Sequence, residues 1–149
     1  MKIALVCTHG GHLTETLHLL DALNEHQIFF VTHHSSRDTD LSALAPTWYT
    51  VNIEARPLRL LYAFFGAIPI LLREKPDVIL SLGAEIAIPF FFWGKLLGTK
   101  LIYIESLCRV NDLSRTGKLI YPIVDEFWVQ WPELLEACGP KARFQGALI

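Results

Sequence analysis

Apolar and polar residues alternate along this chain in blocks. Lys2 to Cys7, Gln27 to Thr32, Val78 to Leu82, Leu101 to Glu105 and Glu126 to Gln130 are short runs rich in apolar, β-branched and aromatic residues. Near-continuous apolar character of this kind marks parallel strands buried on both faces. Trp48 to Ile53 alternates instead and predicts a more peripheral strand, and Ala142 to Gln145 is a candidate last one. Leu13, Leu17, Leu20 and Leu23 recur at near-helical spacing, which predicts a helix from about Leu13 to Asn24. Ile86 to Leu97 predicts a second helix, closed by Gly98 as a glycine just past a helix end would close it. Lys118 to Val124 and Pro132 to Ala137 predict two short ones, and His33 to Pro46 reads as a polar loop with a helical turn at Leu41 to Leu44. Strands alternating with helices predict one α/β domain built on a doubly wound parallel sheet. Within it, Leu101 to Glu133 forms a strand, polar turn, helix and strand that must cross over right-handedly.

One block resists periodic analysis. Leu58 to Leu72, LRLLYAFFGAIPILL, is apolar on every side except Arg59, so the pattern offers no polar face to turn outward. A fifteen-residue run is too short for a secure membrane span and is commonly a core helix. Its flanks carry Arg56, Arg59, Arg73 and Lys75 against the single acid Glu74, which favours an anionic membrane surface. Both readings stay open, with membrane contact through Leu58, Leu61, Phe64, Phe65, Ile68 and Leu72 as the expectation.

Composition narrows the classes. The chain has 149 residues, of which 52% are hydrophobic, and its mean hydropathy is +0.34, a surplus that a buried sheet, a partner or a membrane must absorb. A formal charge of −2 argues against general nucleic-acid binding. Cys7, Cys108 and Cys138 are odd in number and widely spaced, which gives neither a disulfide framework nor a zinc pattern. The apolar run at the N-terminus stops at Thr8-His9-Gly10-Gly11 without a cleavage site and reads as a first strand, not a signal peptide.

In a parallel sheet, turns far apart in sequence converge on the rim formed by the carboxyl ends of the strands, where open α/β sheets bind ligands. Four such turns are predicted, at His9 to His12, Gly83 to Glu85, Glu105 to Asn111 and Gln130-Trp131. Gly10 and Gly11 ahead of a helix allow backbone N–H groups to approach a phosphate, although neither a dinucleotide fingerprint nor a Walker lysine is present. His12 is a candidate general base or acceptor-holding residue, and equally a helix-capping one. Glu105 is either part of the chemistry or an ion-pair partner of Arg109, and Arg109 is otherwise a phosphate clamp. Glu85 reads as a carboxylate favoured by a helix N-terminus, and Trp131-Pro132 as packing at the base of the domain or against a partner.

The motifs THGGH (Thr8 to His12), SLGAEIAIPFF (Ser81 to Phe91), IYIESLCRVNDLSRTGKLIYPIVDEFWVQWPEL (Ile102 to Leu134) and the terminal ARFQGALI resemble the PssD-type bacterial polysaccharide glycosyltransferase subunits. These are related to the membrane-recruiting subunit of the eukaryotic UDP-GlcNAc transferase that adds the second GlcNAc of dolichol-linked chitobiose. More distantly the chain is similar to the amino-terminal half of MurG, whose GGTGGH loop and HEQN turn correspond to Gly10-Gly11-His12 and Tyr103-Ile104-Glu105-Ser106. Here Cys7-Thr8-His9 stand in place of that loop's first glycines.

The resemblance implies a Rossmann-like N-terminal half of a GT-B glycosyltransferase split over two chains. This chain would be the acceptor-binding subunit, peripheral on the cytoplasmic face of a membrane. A partner chain would hold the UDP-sugar, GlcNAc or another hexose, for transfer to a lipid-diphosphate-linked acceptor. His12 and Glu105 are then the expected catalytic residues. Gly10, Gly11, Gly83, Ser106, Arg109 and Asn111 are expected to meet the acceptor and its diphosphate. No metal and no cofactor of the chain's own are expected. A stand-alone nucleotide-binding domain and a non-catalytic membrane scaffold are the rival readings.

Overall fold

The computed structural model describes residues 1–35 and 40–148. In chain order its elements are β1 (Lys2–Val6), α1 (Gly11–Leu17), β2 (Gln27–His33), β3 (Thr47–Thr50), α2 (Pro57–Glu74), β4 (Val78–Ser81), α3 (Ala87–Leu96), β5 (Lys100–Ile104), α4 (Arg115–Ile120), β6 (Glu126–Val129) and β7 (Ala142–Phe144). Tight 3-10 turns lie at Asp21–Leu23, Leu41–Ala43 and Pro132–Ala137. The strands form one seven-stranded, wholly parallel sheet in the order β3-β2-β1-β4-β5-β6-β7. Strand order reverses between β1 and β4, so a crevice opens there beyond their carboxyl ends.

Alternate residues of each strand serve opposite layers. Ala4, Val6, Phe29, Val31, Ile79, Leu101, Tyr103 and Phe127 face the layer built by α2, α3 and α4. Ile3, Leu5, Cys7, Phe30, Val78, Leu80 and Ile104 face Leu13 of α1 and Leu41 of the second 3-10 turn. Burial on both sides explains why the strands read as continuous apolar runs.

The predicted helix from Leu13 to Asn24 is real only as far as Leu17. Thr16 Oγ1 donates back to the His12 carbonyl (2.7 Å), and the chain then tightens into bonds three residues apart, Leu19 to Thr16 and Leu20 to Leu17. Leu17, Leu20 and Leu23 still pack on the second layer, so the periodic signal reported the buried side correctly and the helix length incorrectly. The predicted peripheral strand ends at Thr50, because Glu54 and Ala55 turn the chain with positive φ into α2.

In α2 the side that meets the protein carries alanines along its middle and Ile70 and Leu71 near its end. Ala63, Ala67, Ile70 and Leu71 are buried, while Leu58, Leu61, Tyr62, Phe65 and Leu72 are exposed. Of the six expected membrane-facing residues, Leu58, Leu61, Phe65 and Leu72 lie on the open surface. Phe64 and Ile68 are half-buried, the Phe64 ring edge-on to Phe92 at 5.5 Å. Pro69 leaves the carbonyl four residues back without its helical donor, and Trp93 Nε1 donates to the adjacent Phe64 carbonyl at 2.9 Å. Among the described residues no helix is long and apolar enough to cross a membrane.

Candidate functional site

The carboxyl ends of β1, β4 and β5 enclose a cleft of about 410 Å³. Gly11, His12 and Glu15 of α1 form one wall, Ala84 and Glu85 of the turn after β4 form the floor, and Ser106, Cys108, Arg109, Ser114 and Arg115 form the far wall. Three turns separated by long stretches of sequence therefore meet at the crevice that the strand order creates.

His12 is seated on the backbone of Gly83. A Cβ built at Gly83 would stand 2.6 Å from His12 Cε1, and Gly83 has φ +130, so only glycine supplies both the space and the backbone conformation. Ala84 follows with φ 71, a region that residues with a Cβ enter at a cost. His12 Nδ1 is buried and has no hydrogen-bond partner. Beneath the turn, burial pushes the Cys7 thiol up to about 11, partly offset by its hydrogen bond with Thr16, so Cys7 stays a protonated core residue and not a nucleophile.

Two carboxylates organise the far wall from behind. Glu105 is fully buried and accepts hydrogen bonds from Ser106 N, Ser114 N and Ser114 Oγ, each at 3.0 Å, and a long one from Tyr103 Oη at 3.5 Å. Ser114 Oγ in turn accepts from Gly117 N (2.9 Å) and caps α4. Gly117 has no Cβ to collide with Glu105, so α4 begins directly on that carboxylate. Burial, then the charge of Glu105, raises the Tyr103 hydroxyl far above its ordinary range, so it remains a donor. Glu15, 5% exposed, accepts from Ser106 Oγ (2.9 Å), Leu107 N (3.1 Å) and Gln130 Nε2 (2.9 Å). Gln130 also donates to the Glu105 carbonyl (3.1 Å) and accepts from Leu148 N (3.1 Å), joining β6 and the chain's last described residue to the same network.

The charges are distributed unevenly over the molecule. At the amino ends of the strands, Lys2 pairs with Glu74, Lys95 with Asp125 and Lys100 with Glu126. In the cleft, Arg109 and Arg115 are exposed and form no ion pair with a described residue. The cleft also holds Glu15 and Glu85, but their carboxylates are engaged by Ser106, Leu107, Gln130 and Ala55. That leaves the two guanidiniums as the groups able to meet an anion such as a diphosphate.

The expected site residues separate on this geometry. Gly11, His12, Ser106 and Arg109 line the cleft. Gly10 lies just outside it with φ 92, shaping the entry to α1. Gly83 lies under the His12 ring, and Asn111 sits on the exposed outer part of the loop, so neither is placed to touch a diphosphate in the cleft. Glu105 stands behind the wall with its oxygens occupied, and the anticipated pair with Arg109 is absent because Ser114 and Ser106 are nearer partners. Glu85, just ahead of the N-cap of α3, accepts from Ala55 N (2.8 Å) and ties the entry of α2 to the cleft floor. Trp131 belongs to the rim and not the base, with its indole N–H donating to the Leu107 carbonyl at 2.6 Å.

Sequence reasoning missed Glu15, and it placed Gln130 in a rim turn and Arg115 in the polar turn after β5 without giving either a role. Glu15 lies three residues beyond His12, a spacing that shares a helical face, and that was the available signal. On the other side of His12 a second cleft of about 340 Å³ is lined by His9, His33, Asn52 and Glu54. There the His9 Nε2–H donates to the His33 carbonyl at 2.7 Å. Among the described residues no group of three or more His, Cys, Asp or Glu side chains is arranged to hold a metal ion.

Comparison with known proteins adds to this geometry. Residues 52–148 match the family model described as oligosaccharide biosynthesis protein Alg14 like. The chain is 29% identical to the UDP-N-acetylglucosamine transferase subunit ALG14 of Homo sapiens, over 100% of this chain and 83% of that protein. It is 32% identical to the subunit of the same name from Candida albicans, over 99% of this chain and 78% of that one. Among solved structures it superposes on Acinetobacter baumannii MurG with a TM-score of 0.80 at 17% identity, covering 99% of this chain and 45% of that chain. The architecture is thus the Rossmann-like fold of the N-terminal half of a GT-B glycosyltransferase, and the chain spans a little under half of MurG.

Proposed function

Because the chain belongs to the Alg14-like family of oligosaccharide biosynthesis proteins, we propose that it is the acceptor-side, membrane-associated subunit of a two-chain glycosyltransferase. A partner chain carries the UDP-sugar, GlcNAc or another hexose, and the acceptor is a lipid-linked diphosphate. The PssD-type bacterial polysaccharide branch is the narrower assignment within this proposal. One observation supports it most: the cleft that carries Arg109 and Arg115 and the exposed apolar face of α2 start from the same rim. Glu85 lines both the cleft and an apolar hollow formed with Ile53, Pro57, Leu60 and Ile88 at the start of α2. A lipid diphosphate needs these two surfaces side by side.

In this reading Arg109 and Arg115 neutralise the diphosphate, and His12 takes the proton of the acceptor hydroxyl as its oxygen attacks the anomeric carbon opposite the departing UDP, with inversion. Glu105 keeps the far wall in place and does not touch the acceptor. The chain sits peripherally on the cytoplasmic face of the membrane through α2.

The test is reconstitution with the partner on vesicles holding a prenyl-diphosphate sugar acceptor, with UDP release as the readout. The isolated chain is expected to show little or no turnover and the complex robust turnover. His12→Ala should lower kcat of the complex by about 100-fold or more. Robust turnover by the chain alone would refute the split enzyme. Unchanged kcat in His12→Ala would leave only a membrane scaffold. Tight UDP binding by the isolated chain, measured by calorimetry, would favour a nucleotide-binding domain instead.

A further inference from the structure

We propose that Glu15 is a positioning residue: it fixes the loop bearing Arg109 relative to His12, and so sets the affinity for the acceptor without touching it. The proposal rests on the reading of the cleft as a diphosphate site. Glu15 shares α1 with His12, while its bonds run to Ser106 Oγ and Leu107 N of the opposite wall and to Gln130 Nε2. Three donors converge on two oxygens, and an acceptor-only side chain answers all of them. The backbone of Leu107 is held at both of its polar groups, its N–H by Glu15 and its carbonyl by Trp131 Nε1. Two residues on, Arg109 N donates to the Ser106 carbonyl at 2.9 Å, so the arginine's backbone inherits the position that Glu15 imposes on Ser106.

A further feature points to a role tied to the cleft. Glu15 is buried, and among the described residues no cation pairs with it. A buried carboxylate held by neutral donors alone is an expensive way to brace a loop. It borders the cleft whose opposite wall carries Arg109 and Arg115, so the loop it holds is the one that presents Arg109. The brace thus stands at a position on α1 whose carboxylate reaches both the loop after β5 and the residue that follows β6.

The experiment uses two variants. Glu15→Gln keeps the three bonds, its amide N–H donating to Ser106 Oγ and its oxygen accepting from Leu107 N and Gln130, but it cannot take up a proton. Glu15→Ala removes all three. Hydrogen exchange on the folded chain should speed up at residues 106–112 in Glu15→Ala, with β1 and β4 unchanged, and stay near wild type in Glu15→Gln. In the reconstituted complex Glu15→Ala should raise the acceptor KM about 10-fold with kcat nearly preserved, and Glu15→Gln should rescue it. Unchanged loop exchange in Glu15→Ala overturns the proposal. So does a roughly 100-fold loss of kcat in Glu15→Gln with the loop intact, since the carboxylate would then handle the proton itself. If Glu15→Ala does not fold, Ser106→Ala replaces it, with faster exchange expected at the same residues and the same reversal if exchange is unchanged. A complex without transferase activity would end the functional reading, while the exchange measurement would still decide the role of Glu15.

Discussion

At Gly83 the space for one methyl group is already taken by the His12 ring. The expectation was that this glycine meets a diphosphate, but the structure uses it as the seat of the His12 ring. Gly83→Ala would press a Cβ onto the imidazole and hold alanine at a φ of +130. A cost of about 1–3 kcal/mol is expected, visible as a drop of several degrees in Tm. The His12 ring should be displaced as well, read as a shifted imidazole NMR signal and a reduced kcat in the complex. Wild-type Tm and an unmoved His12 signal would show that the seat is dispensable. Glu105 teaches the complementary point. The residue type and the strand-end position were legible, whereas the direction of its carboxylate depended on Ser114, nine residues along the chain.

At the scale of elements, α2 is the unusual one. A helix of a soluble domain generally hides its large apolar side chains, yet here Ala63 and Ala67 are inside while Leu58, Tyr62 and Phe65 are 80%, 70% and 65% exposed. Each such side chain would gain about 1.5–3 kcal/mol on full burial, which a membrane surface can supply. Leu61→Glu with Phe65→Glu should therefore leave Tm within about 2 °C, since exposed positions contribute little to folding, while recovery on anionic vesicles falls sharply. Undiminished recovery would detach α2 from the membrane. Ala67→Leu tests the other face, where overpacking against the sheet should cost about 1–3 kcal/mol, seen in a urea titration. The apolar run and its cationic flanks were readable in advance, but the outward face was not. With no polar stripe, only the fit of Ala63, Ala67, Ile70 and Leu71 against α3 and the sheet could select it.

For the whole molecule, the sheet separates two electrostatic tasks. Its amino rim carries the pairs Lys2–Glu74, Lys95–Asp125 and Lys100–Glu126, while in the cleft at its carboxyl rim Arg109 and Arg115 form no ion pair with a described residue. Glu74 is held below the ordinary carboxylate range mainly by its hydrogen bond from Lys2, and Glu126 mainly by that from Lys100. For Asp125 burial is the largest influence and opposes ionisation, but Lys95 and the Leu101 N–H outweigh it and the net direction is also downward. Groups whose folded values lie below their unfolded values stabilise the fold above the unfolded pKa, and that contribution is lost as pH falls through the folded values. Tm should thus be nearly flat from neutral pH down to about 5 and fall below about 4. Lys100→Met should flatten part of that fall by releasing Glu126. The effect per pair is expected to stay below about 1 kcal/mol because the pairs are partly solvated. A Tm that rises on acidification through this range would contradict the assignment.

The sequence by itself determined the class of fold, the order of its strands and helices along the chain, and the turns where chemistry could sit. Apolar runs, glycines and helix breaks are local signals, and their physics acts over a few residues. It also carried the family likeness in THGGH and in the segment from Ile102 to Leu134. The tertiary structure decided which strands are neighbours, which side of α2 is open, and which carboxylates face a cleft or stand behind its wall. Those outcomes rest on contacts such as Glu15 with Ser106 and Gln130, 91 and 115 positions away. Such pairs leave no periodic trace, because a hydrogen bond is set by distance in space and becomes possible only when the sheet has brought the strand ends together.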